Sequence, residues 1–236
     1  AVVWAARITG TGADIGQRVT TDSSDNVLVT GTYDSAVTIY NQGPSGAAGV
    51  TFSVVGGIDL FIAKYSPNGE VLWAARIAGP GTSENVRGIA TDPSGNVFVT
   101  GHYNGNPLTF YNQGPSGTAG TTLPLIGGFD SFVAKYSPDG AVLWAARIAG
   151  TTTSTDLVNG IDTDSSGNVL VTGYYTAAVT FYDQGPSGAA NITLSFGGGG
   201  ATDAFIAKYS SAGAVLWAAR IWSGGVDEGN GIATDP

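Results

Sequence analysis

The sequence predicts an all-β fold of tandem β-propeller-type blades, and three observations carry that prediction. First, the string VLWAARIAG occurs at Val71–Gly79 and again, unchanged, at Val142–Gly150, with near copies at Val2–Gly10 (VVWAARITG) and Val215–Ile221 (VLWAARI). Trp4, Trp73, Trp144 and Trp217 therefore stand 69, 71 and 73 residues apart, and such a period marks a repeat architecture. Second, short β-branched runs alternate with Asp/Ser/Gly/Asn turns and show no helical period. Third, several runs are apolar on both faces, as in Phe205-Ile206-Ala207 and Leu216-Trp217-Ala218. Strands of that kind need cover on both sides, which small sheets stacked face to face provide.

The third copy shows each element in turn. Asn159–Thr163 (NGIDT) leads through Asp164–Asn168 (DSSGN) into Val169–Gly173 (VLVTG). This reads as a hairpin in which Gly167 takes the positive φ that the turn needs. The turn recurs as TDSSDN at Thr21–Asn26 and TDPSGN at Thr91–Asn96, and is cut short as TDP at Thr234–Pro236. Next come Val179–Tyr182 (VTFY), the loop Asp183–Gly188 (DQGPSG) and Ile192–Phe196 (ITLSF). Asp203–Tyr209 (DAFIAKY) is a strand, and Ser210–Gly213 is a turn matching SPNG at Ser66–Gly69 and SPDG at Ser137–Gly140. The Trp strand closes the unit. Each blade is thus expected to be an antiparallel four-stranded sheet with an inserted hairpin. The period of about 71 exceeds the usual roughly 40–50 residues of a blade. The excess is the FYNQGPSG hairpin, expected to project from the blade rim. A β-solenoid is the runner-up, although its coils are normally shorter.

Residues 1–236 form one array: repeat 1 about 1–69, repeat 2 about 70–140, repeat 3 about 141–213, and a partial repeat 214–236. Three full repeats and a fraction fall short of the roughly four to eight blades that close a propeller. Three resolutions follow: a window of a longer chain, several copies sharing a ring or open array, or ragged ends pairing in one blade. A head-to-tail interface that does not close makes a filament.

Composition narrows the function. The net charge is −9 with few charges of either sign, which argues against nucleic acid and anionic membranes. The absence of Cys excludes disulfides, thiolate metal sites and a cysteine nucleophile. No run is long and apolar enough for a membrane span, and no signal peptide stands in these residues. With no Met in the sequence, Ala1 is not an initiator product, so a leader was removed or the chain is a window. The Gly-, Thr-, Ser- and Ala-rich composition is common in secreted surface proteins.

Across the copies, G-I-A-T-D-x-S-G-N-V-x-V-T-G (Gly88–Gly101), D-x-F-[IV]-A-K-Y-S-P-x-G (Asp130–Gly140) and V-L-W-A-A-R-I-x-G (Val142–Gly150) follow one another. This pattern resembles the bacterial β-propeller repeat family called SBBP, over about two thirds of each repeat. The YNQGPSG insertion departs from the family's core pattern. The resemblance implies an extracellular or cell-surface protein of many repeats without assigned chemistry.

Each copy offers the same candidate sites. Asp14, Glu84, Asp156 and Asp227 lie eight residues before the turn acids. In a closed propeller such a ring would hold Ca²⁺, which takes hard oxygen ligands; the alternative is that each acid caps a turn or pairs with an Arg. Apart from that Ca²⁺, no cofactor is implied. Asp22, Asp92 and Asp164 open their turns, where the carboxylate bonds the backbone two residues on. Arg7, Arg76, Arg147 and Arg220 sit in apolar strands and call for carboxylate partners, with Asp59, Asp130 and Asp203 as candidates. Lys64, Lys135 and Lys208 are expected to snorkel from blade edges.

The loops beginning Tyr40-Asn41-Gln42, Tyr111-Asn112-Gln113 and Tyr182-Asp183-Gln184 present an aromatic face beside amide or acid groups. That is the chemistry of sugar recognition, multiplied by repetition; the alternative is a packed turn or a subunit contact. His102 is the sole histidine, and its equivalents are Thr32 and Tyr174, so neither a catalytic triad nor a histidine metal cluster is supported. Trp222 stands outside the repeat register and is expected to fill a packing gap or mark an interface.

The expected function is that of a non-enzymatic extracellular structural or interaction repeat protein, a segment or subunit of a surface assembly or filament. Its partner would be itself or further repeats. The alternative is a multivalent carbohydrate-binding propeller.

Overall fold

The computed structural model describes residues 2–43, 45–81, 83–151, 153–198 and 201–235. Pro44 of the first Tyr-Asn-Gln loop and Pro236 of the last turn lie outside them. The described residues form strands and turns without a helix. Counted in units that end on a Trp strand rather than begin on one, the first supplies β1 (Ile8–Gly10), β2 (Asp14–Thr21), β3 (Val27–Tyr33), β4 (Val37–Tyr40), β5 (Ala48–Phe52), β6 (Asp59–Tyr65) and β7 (Val71–Ala78). The second supplies β8 (Asn85–Thr91), β9 (Val97–Asn104), β10 (Leu108–Tyr111), β11 (Ala119–Leu123), β12 (Phe129–Tyr136) and β13 (Val142–Ala149). The third supplies β14 (Asp156–Thr163), β15 (Val169–Tyr175), β16 (Val179–Tyr182), β17 (Ala190–Leu194), β18 (Asp203–Tyr209) and β19 (Val215–Ile221).

Three antiparallel meanders result: β2-β3-β6-β7, β8-β9-β12-β13 and β14-β15-β18-β19. These are the expected blades. The Asp/Ser/Gly/Asn turns join their first two strands, and Gly95 and Gly167 adopt φ of +77° and +73° there, while Asp25 takes +60° in the first copy. Between the paired strands a bulge recurs at Gly16/Arg18, Val86/Gly88 and Val158/Gly160. Opposite it, a Cβ on Gly101 would overlap the Asn85 carbonyl, so that position takes glycine.

The inserted hairpin corrects the expectation of a rim projection. β10 pairs with β7 of the preceding blade, Ile77 opposite Phe110 and Ala78 opposite Thr109. β16 pairs with β13 and β4 with β1 in the equivalent register. The reason is the hairpin's apolar face. Phe110 and Phe181 are fully buried and meet Phe132 and Phe205 of their own blades edge to face, each at 5.2 Å. A projecting hairpin would leave those rings in water. Each hairpin therefore bonds to one blade by its backbone and packs on the next by its side chains. The first two blades become six-stranded, while the third ends at β19, whose outer edge has no strand partner among the described residues.

The core lies between blades. One apolar cluster joins Leu28, Ile62 and Ala75 of the first blade to Val86, Val97 and Val99 of the second. Another joins Phe98 and Val133 of the second to Val158, Val171 and Phe205 of the third. Each Val, Leu, Ile or Phe among them contributes about 1.5–3 kcal/mol on burial, so stability resides in contacts between neighbours, as in other repeat arrays.

Candidate functional site

Every blade-to-blade junction centres on one turn carbonyl. Trp73 Nε1 donates to Pro138 O at 2.8 Å, Trp144 Nε1 to Ser211 O at 3.1 Å, and Trp4 Nε1 to Pro67 O at 3.0 Å. Lys64 Nζ and Lys135 Nζ donate to the Pro138 and Ser211 carbonyls at 3.2 and 3.1 Å. The same ammonium groups pair with Asp22 at 2.9 Å and Asp92 at 3.4 Å. Both lysines are buried, which corrects the snorkelling expectation. A buried charge needs a partner and hydrogen bonds, and the junction supplies a carboxylate and a carbonyl. Lys208 pairs with Asp164 at 2.7 Å in a more open setting.

The turn acids do two tasks at once. Asp22 Oδ1 accepts from the Ser24 and Asn26 backbone N–H at 2.9 and 3.0 Å, and Asp92 and Asp164 repeat the geometry. Burial alone would raise the Asp22 carboxyl, but hydrogen bonds from Asn26 and Lys64 outweigh it and hold it at about 2. Lys208 and Asn168 pull the Asp164 carboxyl below its ordinary value.

The Tyr-Asn-Gln loops are clamped into the junctions. Gly114 N donates to Ala74 O of the preceding blade's Trp strand at 2.8 Å, and Gln113 N to Gly140 O at 2.9 Å. Asn41, Asn112 and Asp183 each accept the backbone N–H of Val71, Val142 and Val215, at 2.7, 2.8 and 2.8 Å. The Tyr40, Tyr111 and Tyr182 rings lie under the Arg7, Arg76 and Arg147 guanidinium groups at 4.1, 4.4 and 4.0 Å. The structure thus brings Tyr, Asn and Arg together as packing, and leaves Gln42, Gln113 and Gln184 exposed.

The arginines differ from expectation. They stack on the loop tyrosines by cation–π contact, with Arg220 over Trp222 at 5.1 Å. Arg76 also donates to Ser53 O at 3.3 Å, Arg147 to Pro186 O at 3.4 Å and Arg220 to Ser195 O at 2.9 Å. Asp59, Asp130 and Asp203 instead accept loop backbone N–H groups, from Val55 at 2.6 Å, Ile126 at 2.7 Å and Gly197 at 2.6 Å. The fit follows from geometry: these loops present several unpaired N–H groups to a short carboxylate, while the planar guanidinium covers an aromatic face.

The four acids stand apart along the array, Glu84 and Asp156 between blades and Asp14 and Asp227 at its two ends. Asp14 accepts from Gly10 N, Asp156 from Ser154 Oγ at 2.8 Å, and Asp227 from Ser223 N at 2.6 Å. Glu84 and Asp156 are buried and each keeps one oxygen, Oε2 and Oδ1, without a hydrogen bond. Burial, reinforced by Asp59 beside Glu84 and by Asp130 beside Asp156, lifts these carboxyls to about 8 and about 7. Among the described residues no three His, Cys, Asp or Glu side chains gather where they could hold a metal ion. His102 is buried edge-on to Phe129 at 5.7 Å, and burial lowers it to about 4.

Sequence reasoning missed the inner-strand threonine ladder. Thr91 Oγ1 donates to Thr21 O at 2.9 Å, Thr163 Oγ1 to Thr91 O at 2.8 Å and Thr234 Oγ1 to Thr163 O at 2.8 Å. The signal was present: threonine precedes the turn Asp in every copy.

The array ends in two unlike faces. Trp217 is 40% exposed where its equivalent Trp73 is 5% exposed, and Val19 is 67% exposed where its equivalent Ile89 is 9%. Ile221, Trp222 and Val226 extend the apolar end beyond Trp217. The Trp217 indole and the Lys208 ammonium stand where Trp73 and Lys64 meet a turn carbonyl in the interior.

Blades stacked through repeated Trp–turn, Lys–Asp and hairpin contacts define a tandem-blade protein of the β-propeller repeat type. Residues 3–32 and 72–109 match the family model SBBP, described as a beta-propeller repeat. Over 195 residues it is 35% identical to an uncharacterized WD repeat-containing protein, L264, of Acanthamoeba polyphaga mimivirus. The aligned region is 75% of this chain and 14% of that viral protein. A crystal structure of a protein of unknown function from Bacteroides caccae aligns with 83% of this chain and 93% of its own, at 12% identity and a TM-score of 0.23. At that score the likeness carries no fold argument.

Proposed function

We propose that this chain is a non-enzymatic structural or interaction repeat protein, a segment or subunit of an extracellular surface assembly or filament. Its partner is another run of the same blades, in a second copy or in further repeats. One observation carries the reading: the two terminal faces expose positions that internal junctions cover, Trp217 where Trp73 and Trp144 are buried and Val19 where Ile89 is buried. Contiguous exposed apolar surface marks an interaction site, and Trp217 and Val19 stand at positions that internal junctions use. Because the two faces differ, the contact is head to tail, and such contacts extend unless the rotation closes them. The extracellular setting rests on composition and on the repeat type.

The carbohydrate reading has weaker support, since Arg covers each loop tyrosine and a backbone N–H occupies each Asn or Asp oxygen. Binding to a glycan array that Tyr111→Ala abolishes would restore it. The assembly reading is tested by light scattering over a concentration series, with negative-stain imaging of the same samples. Rings or fibres of several chains are expected. A compact monomer at every concentration overturns the second-copy form of the reading.

A further inference from the structure

We propose that the interior junction of the first two blades is a binding site for a neutral saccharide, seated against Leu72 and held by Gln113, Asp139 and Asn26. The site goes beyond the assembly reading and depends neither on it nor on the loop tyrosines.

The junction leaves an open groove of about 460 Å³, within the roughly 300–1,000 Å³ that small-molecule sites occupy. Asn26, Lys64 and Leu72 of the first blade line one side, Gln113 and Asp139 of the second line the other, and Trp73 and Pro138 meet between them. The walls are fixed before any ligand arrives. The Pro138 carbonyl accepts Trp73 Nε1 at 2.8 Å and Lys64 Nζ at 3.2 Å, and the Gln113 backbone N–H donates to Gly140 O at 2.9 Å. A preformed site loses less freedom on binding.

The polar groups facing this groove are ones the fold leaves unused. Gln113 is exposed, and its side-chain amide has no hydrogen-bond partner among the described residues, although glutamine stands at that place in every full copy, as Gln42, Gln113 and Gln184. Asp139 is also exposed, and among the described residues the lysine ion pairs go to Asp22, Asp92 and Asp164 instead. Asn26 gives its Nδ2 to Asp22 at 2.9 Å and keeps Oδ1 as an acceptor. Buried Lys64 has two partners, Asp22 at 2.9 Å and Pro138 O at 3.2 Å, while an ammonium carries three donors. Leu72 is 51% exposed and supplies an apolar face. Sugar hydroxyls donate and accept at once, so they suit an amide beside a carboxylate, and the C–H face of the ring suits the leucine. Charge favours a neutral ligand. Asp139 and the net charge of −9 turn an anion away, and the Lys64 ammonium opposes a cation. The second junction repeats Asn96, Lys135, Leu143 and Gln184, but Ala212 stands where Asp139 does, so the first junction is the stronger site.

The test is an array of neutral and acidic glycans with a lysine-rich peptide spotted beside them, followed by calorimetric titration of the glycan retained. A neutral glycan is expected. Asp139→Ala and Gln113→Ala should each weaken its binding about 10-fold or more, the loss that follows from removing a hydrogen bond to the ligand. Gln184→Ala, at the second junction, should leave the affinity of the first site unchanged. Both groove substitutions fall on exposed side chains, and urea midpoints matching wild type show that the fold is kept; should one variant shift the midpoint, the other carries the test. An empty array, retention of acidic glycans or the peptide alone, or an affinity indifferent to both groove substitutions overturns the proposal. Loss with Tyr111→Ala but not with Asp139→Ala overturns it too and moves the sugar to the loop tyrosines. Self-association is read separately by light scattering, so the two readings fail independently.

Discussion

The Trp73 indole of the first blade and the Pro138 carbonyl of the second meet at 2.8 Å. The bond ties two blades through a single turn atom, and it recurs with Ser211 in place of Pro138. What the repeat preserves there is a backbone carbonyl at a fixed place, not a side chain. The tryptophan fills the space around that carbonyl and satisfies its own N–H, as a buried indole must.

Trp73→Ala should therefore cost about 3–5 kcal/mol, the range for removing a buried large aromatic side chain. Trp217→Ala should cost less than about 1 kcal/mol in the monomer, because that ring is exposed. Urea unfolding of the two variants under non-associating conditions measures the difference. Equal losses would mean that the Trp217 face is already covered.

Glycine at the end of the SPxG turn answers to the same ring. Gly140 has φ of +82°, and a Cβ there would lie 2.8 Å from the Trp73 ring. Gly114 has φ of +99° with nothing within 4 Å of its Cβ position. Gly114→Ala thus isolates the left-handed backbone cost, about 1–2 kcal/mol. Gly140→Ala adds an overpacking cost and should reach about 2–5 kcal/mol. Thermal or urea unfolding separates them, and a smaller loss for Gly140→Ala would show that the Trp73 ring moves freely.

The blades were legible in sequence because period, turn chemistry and two-sided apolar strands are local or repeated signals. The hairpin's true neighbour was not. Pairing of an edge strand depends on which backbone lies beside it, and nothing within VTFY or LTFY names the previous blade. The arginine partners were misread for a related reason: Asp130 stands at a plausible spacing, but the loop N–H groups at Ile126 and Gly127 claim it first. Substitution among the copies held a usable clue. Asn41, Asn112 and Asp183 share an acceptor oxygen and little else, which points to a backbone N–H as the partner.

Buried His102 sets one limit of pH stability. Its folded value of about 4 lies below the ordinary 6.5. The unfolded state then binds more protons in that window, so the contribution is present above about 6.5 and lost as pH falls through 4. A His102→Phe variant should show a flatter loss of stability between those values, provided the ring packs against Phe129 as the imidazole does. NMR titration of His102 should show a neutral ring down to about pH 4; protonation near 6.5 would contradict the burial argument.

Glu84 acts in the opposite direction. Burial, with Asp59 across the junction, lifts it from 4.5 to about 8. The folded state therefore holds a proton that the unfolded state has released, and stability declines as pH rises from about 4.5 to about 8. Each unit of such a shift corresponds to about 1.4 kcal/mol, so the loss amounts to several kcal/mol at most. Glu84→Gln keeps the shape, removes the titration and should stabilise the chain at pH 8 and above, with little effect at pH 4.5. Stability measured against pH for the two proteins gives curves that converge in acid and diverge in base. Parallel curves would mean that Glu84 is ionised in the fold, held by a partner that the junction geometry does not show.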